Sequence, residues 1–191
     1  MVPSTGAMVG RVTRGGQGDF AKGGTANVPL VGIDCSMPNF LIEKLVSGGQ
    51  TGADRAALDA AISLGLPHGG WCPKGRRAED GTIPTCYDLT ETPGVSYPVR
   101  TEWNVRDSDG TVVFTLGKLA TGGSRKTIAI AKRLRKPRLH ISRDGGDGAC
   151  ALLRDFIASH GIRVLNIAGS REGKEPGIGA WVEGVLTKVA D

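Results

Sequence analysis

The chain has 191 residues, of which 39% are apolar and 23% charged, and carries a net charge of +5. That length supports one ordinary core without disulfides or metal, and the composition excludes a disordered or fibrous chain. Positive charge favours anionic partners; the nine aromatic residues (three Trp, two Tyr and four Phe) are dispersed rather than interleaved with basic tracts, which puts a small anionic molecule ahead of nucleic acid. No apolar run approaches a membrane span, and the N-terminus lacks the apolar segment of a signal peptide. Cys35, Cys72, Cys86 and Cys150 are far apart with no CxxC pair and no zinc-finger spacing, as expected of reduced thiols in a cytoplasmic protein.

Residues 1–36 are rich in Gly and small polar residues without sustained periodicity, so a flexible extension is expected there, followed by a single domain over 37–191. A first strand is expected over Phe40–Ser47, feeding the stretch VSGGQTGAD at Val46–Asp54 and a helix over Ala53–Leu64 that Gly65 ends. Gly48, Gly49 and Gly52 would let backbone N–H groups crowd around an anion at the positive end of that helix. The spacing is neither GxGxxG nor GxxxxGK[ST], so a tight turn without a ligand stands beside the anion cradle as the bland alternative.

Leu66–Tyr87 reads as a long loop with one short strand near Gly70–Cys72. Its Lys74, Arg76 and Arg77, answered by Glu79 and Asp80, form either a self-neutralising surface turn or one wall of an anion site. A short helix is expected over Thr101–Val105, a turn at Asp107–Gly110 and a buried strand at Thr111–Thr115. Leu119–Thr127, LATGGSRKT, then repeats the strand–glycine–helix logic. In a helix over Ser124–Arg135, Arg125 and Lys126 fall in the first turn, where cations oppose the dipole by roughly 0.3–1 kcal/mol each unless an anion sits nearby.

Arg138–Ser142 reads as a strand and Gly148–His160 as a helix with Ala149, Leu152, Leu153, Phe156 and Ile157 on one face. A further strand at Arg163–Ala168 ends in a third candidate loop, Gly169-Ser170-Arg171-Glu172. The last helix carries the stripe Ile178, Trp181, Val182, Val185, Leu186 and Val189, suited to core or subunit contact. His68, His140 and His160 are scattered, and no metal site is expected. Strands alternating with amphipathic helices predict an α/β, Rossmann-like, doubly wound and mainly parallel sheet with helices on both faces. Its ligand loops then gather at the carboxyl ends of the strands, while the strand order stays open.

The segments VSGGQTGADRAALDAA at Val46–Ala61, GGWCPKGRRAEDG at Gly69–Gly81, RTEWNVRDSDGT at Arg100–Thr111, the Thr121-Gly122-Gly123 turn and the Asn166–Arg171 strand end carry a resemblance. From about Glu43 to the end the chain resembles the molybdenum-cofactor carrier-like family, a circularly permuted branch of the lysine-decarboxylase-like and SLOG proteins. The resemblance implies a Rossmann-like fold, homo-oligomers and an anionic ligand, with the molybdenum cofactor as the family's cargo and a molybdoenzyme or cofactor-synthesis protein as partner; the SLOG label implies nucleotides instead. Two features depart from the family: the N-terminal extension, and the turn around Ser124-Arg125-Lys126, where a Thr-Gly-Gly-Thr pattern followed by less basic residues is expected.

The candidate ligand contacts are Ser47, Gly48, Gly49, Gln50, Thr51, Gly52 and Asp54 in the first turn and Lys74, Arg76 and Arg77 in the loop. Asn104, Arg106 and Asp107 are added before the second turn, Thr121, Gly122, Gly123, Ser124 and Arg125 within it, and Gly169 and Arg171 in the third. Arg76, Arg77, Arg106, Arg125 or Arg171 would supply charge. Three functions compete: a non-catalytic carrier, a nucleotide hydrolase and a nucleotide-sensing module. Related phosphoribohydrolases use a PGGxGTxxE turn, whose Glu has no counterpart after Thr121; Glu79, Asp80, Glu102 or Asp107 would have to replace it.

Overall fold

The computed structural model describes residues 42–190, and the expectation of a flexible extension over 1–36 lies outside the described residues. The elements follow as β1 (Lys44–Val46), α1 (Ala53–Ser63), β2 (His68–Gly69), β3 (Trp71–Cys72), β4 (Arg77–Ala78), β5 (Gly81–Thr82) and β6 (Thr90–Glu91). Then come α2 (Tyr97–Arg106), β7 (Gly110–Thr115), α3 (Gly122–Arg133), β8 (Arg138–Ser142), α4 (Ala149–His160), β9 (Val164–Gly169) and α5 (Ile178–Ala190).

Five strands form one parallel sheet in the order β2-β1-β9-β7-β8, with helices around it. The period-two alternation of β7 explains how. Val112 and Phe114 enter the main core with Leu153, Phe156, Ile178 and Val182 of α4 and α5, while Thr111 and Thr115 face away and pair with Asn166 and His140. Residues on both sides of β7 are fully buried, as a strand covered on both faces requires. Because all five strands run the same way, the turns after β1, β7 and β9 open on one edge.

The stripe on α5 is core: Ile178, Val182, Val185 and Leu186 are buried, and Trp181 packs edge-on against Phe114 with ring centroids 5.5 Å apart. A second cluster of Leu58, Cys72, Ile83, Tyr87 and Leu89 seals the long loop against α1.

Several sequence expectations change. The loop Leu66–Tyr87 holds four two-residue strands, because its glycines and prolines interrupt pairing without preventing it. The helix α2 runs well past Thr101–Val105 at its start, with Pro98 in its first turn where no N–H is needed. Leu152 is half exposed and leaves the face assigned to it on α4. Most consequentially, α3 starts at Gly122, two residues before Ser124, after an extended Thr121. The first turn is therefore Gly122-Gly123-Ser124, and Arg125 and Lys126 fall beyond it.

Candidate functional site

The three strand ends meet around a cleft of about 610 Å³ lined by Gln50 and Asp54 of the first turn, Thr121–Ser124 of the second and Gly169–Arg171 of the third. That volume is within the usual range of small-molecule sites. Arg100 and Tyr97 of α2, with Glu79, Gly173 and Lys174, complete the wall.

The first turn holds an anion, and the anion belongs to the protein. The Asp54 carboxylate accepts hydrogen bonds from the backbone of Gln50 and Gly169 and from Arg100 Nη1 at 3.0 Å. Both side chains are buried, Asp54 4% and Arg100 9% exposed. Burial pushes the Asp54 carboxyl above the usual aspartate range against the pull of Arg100. A Cβ on Gly48 would lie 1.4 Å from Arg100 Nη1, so the guanidinium fills the space that this glycine leaves.

Gly49 and Gly52 likewise face protein. A Cβ at Gly49 would meet Leu89 and Ile83, and one at Gly52 would meet the Ser170 carbonyl at 2.6 Å. Gly48, Gly49 and Gly52 thus bring protein groups into close approach, and of the first turn only Gln50 and Asp54 line the cleft.

The second turn is the reverse case. The N–H groups of Gly122, Gly123 and Ser124 have no hydrogen-bond partner among the described residues, and no side chain caps α3. Thr121, the capping position, instead accepts a hydrogen bond from Lys174 Nζ. Beside Gly123 a Cβ would find open space, and beside Gly122 only Lys174 Nζ at 4.0 Å. This is a bare helix N-terminus with cations beside it, the ordinary chemistry of phosphate binding. Three buried polar atoms on residues lining the same cleft also lack partners: Gln50 Nε2, Arg100 Nε and Ser170 Oγ.

Of the remaining candidates, Arg171 lines the cleft with its guanidinium 5.3 Å from the centre of the Tyr97 ring. Ser47 is fully buried and donates to the Ile167 carbonyl. Thr51 donates to Glu79, which also accepts from Gly173 N–H; with Arg171 nearby, these hydrogen bonds hold the Glu79 carboxyl below the usual glutamate range.

Seven cationic or polar candidates lie elsewhere. Arg76 donates to four carbonyls, those of Ile83, Pro84, Tyr87 and Leu89, and so ties the long loop together. Asn104 brackets the Trp71 backbone, and Asp107 joins the Trp71 indole to Arg106. Lys74, Arg77 and Arg125 are exposed and outside the cleft wall.

The sequence reading missed Arg100, Tyr97, Thr101, Ser170 and Lys174 as site residues, although Arg100 and Ser170 stood inside the segments already singled out. Of the four acids that would have to replace a catalytic Glu, only Glu79 lines the cleft; Asp80 pairs with Arg55, Glu102 with Arg133 and Asp107 with Arg106. Among the described residues no group of three His, Cys, Asp or Glu side chains could hold a metal ion. No helix among them is long and apolar enough to cross a membrane.

A parallel sheet with a polar cleft at its carboxyl edge defines the class, a Rossmann-like small-molecule-binding domain. Residues 45–190 match the circularly permutated YpsA SLOG family, and the chain belongs to that family. The chain is also similar to a crystal structure described as a putative molybdenum carrier protein from Syntrophus aciditrophicus SB, with 49% identity and a TM-score of 0.75 over 78% of this chain and 95% of that one. No curated protein matches.

Proposed function

We propose that this protein binds an anionic, phosphorylated small molecule without transforming it, and that its cargo is the molybdenum cofactor. The observation that carries the reading is the bare first turn of α3, where three unpaired N–H donors face a cleft flanked by Arg171 and Lys174. The unpartnered Gln50, Arg100 and Ser170 atoms suit a ring with several polar edges, as a pterin has. The similarity to a molybdenum carrier favours this cargo over a plain nucleotide.

A carrier needs fixed donors and a shaped cleft but no acid–base pair, and the residues fit that requirement. The hydrolase reading would need Glu79, whose carboxyl its hydrogen bonds hold below the usual range, to work with Asp54, whose raised carboxyl is tied up by Arg100. A cytoplasmic homo-oligomer that hands its cargo to a molybdoenzyme or a cofactor-synthesis protein completes the proposal. Mass spectrometry of the small molecule that copurifies from cells tests it directly. A phosphorylated pterin is the expected result; a nucleotide would move the assignment to a sensing or processing module, and a cleaved nucleotide product would restore the hydrolase.

A further inference from the structure

A groove of about 600 Å³ between α2 and α3 is left unused by that reading. Pro98, Ala129 and Ile130 line it together with the cationic Lys126. The groove and the cleft are neighbours with a common wall, since Tyr97, Thr101, Gly122, Gly123 and Arg171 line both. The bare first turn of α3 therefore stands at the junction of two cavities, each large enough for one ring system with its sugar or side chain.

The two sides differ in chemistry. On the cleft side, Gln50 and Ser170, each 4% exposed, and Arg100, 9% exposed, carry polar atoms without partners, which calls for a head rich in hydrogen-bonding groups. On the groove side, Arg133 is engaged by Glu102 at 2.7 Å, leaving Lys126 and Arg171 as the cations beside an apolar lining. That combination suits a planar base with an anionic link at its mouth.

We propose that the ligand is two-headed. A pyrophosphate bridge lies across Gly122 and Gly123, one head occupies the cleft, and a nucleoside occupies the groove. The inference rests on the anion reading of the cleft and adds the ligand class, a dinucleotide or a pterin nucleotide rather than a monophosphate. Arg171, stacked on Tyr97 where the two cavities meet, is placed to pair with the bridge.

Calorimetry on the full chain with two matched pairs of probes tests this: guanosine monophosphate against diguanosine diphosphate, and hydroxymethylpterin phosphate against the same pterin joined to guanosine through a pyrophosphate. At least one two-headed probe should bind about tenfold or more tighter than its monophosphate, the gain of one or two charge-assisted hydrogen bonds and a filled groove. Ala129→Trp, at an exposed position outside the cleft, should abolish that gain and leave the affinity for hydroxymethylpterin phosphate, whose ring lies in the cleft, unchanged; Ala129→Phe should do so in part. Equal affinity within both pairs, or a gain that survives Ala129→Trp in a folded protein, overturns the two-headed ligand and leaves the cleft reading standing. Binding by none of the four probes overturns both.

Discussion

The α1 and α3 N-termini look alike in the sequence, each a strand followed by a glycine-rich turn, yet they have opposite surroundings. At α1 the first N–H groups find partners within the chain, Ala53 at the Ser170 carbonyl and Arg55 at the Gln50 carbonyl, and the Asp54 carboxyl between them pairs with Arg100. At α3 the same backbone feature is left bare. Glycine serves both ends: at Gly48 it makes room for a guanidinium, and at Gly123 it borders open space. A glycine-rich turn marks a close approach, and what approaches is decided by the rest of the fold.

The largest effect expected from this contrast is at α1. Arg100→Ala strands a buried carboxylate and should destabilise the fold by about 3–5 kcal/mol, as measured by chemical denaturation. A loss below about 1 kcal/mol would mean that the pair is solvated and that α1 is as open as α3. At α3 the expected effect is on binding instead. Gly123→Glu places a carboxylate at the bare N-terminus, where it competes with the ligand; affinity for a phosphorylated pterin should fall by about 1–3 kcal/mol while the melting temperature holds or rises. A destabilised variant with unchanged affinity would reverse the contrast.

These two sites also show what the sequence could and could not say. The periodicity of Ala53–Leu64 and the β-branched run at Thr111–Thr115 placed α1 and β7 closely, because amphipathic spacing and burial on both faces are local properties. The shared edge of the three turns followed from parallel strands alone. The occupant of each turn was hidden, because Asp54 and Arg100 are 46 residues apart in the chain and meet only through packing. The charges most visible in the sequence misdirected the reading for the same reason: Arg76 serves four loop carbonyls, and Arg106 serves Asp107. The helix expected from Ser124 starts at Gly122, and extended Thr121 takes the capping position while its hydroxyl oxygen accepts from Lys174.

A smaller effect concerns the rim. Glu79 joins the long loop to Thr51 and to Gly173, and its carboxyl lies below the usual glutamate range. Since the folded-state value is the lower one, the tie adds stability at and above the ordinary glutamate range and loses it as the pH falls through the lowered value. Thermal melts of the wild type and Glu79→Gln should differ at neutral pH and converge in acid; a difference that grows in acid would contradict the assignment. The smallest effect is expected at Arg125, which lies outside the first turn and the cleft wall: Arg125→Gln should change ligand affinity by less than about 0.5 kcal/mol in calorimetry. A larger loss would bring this side chain back into the site.

Backbone amide chemical shifts during titration with hydroxymethylpterin phosphate separate the two helix N-termini most directly. The account predicts large, saturable shifts at Gly122, Gly123 and Ser124, with Thr51, Gly52 and Ala53 nearly unmoved. Saturable shifts at Thr51–Ala53 with a silent α3 would place the anion at α1 and contradict the claim that Asp54 already fills that end.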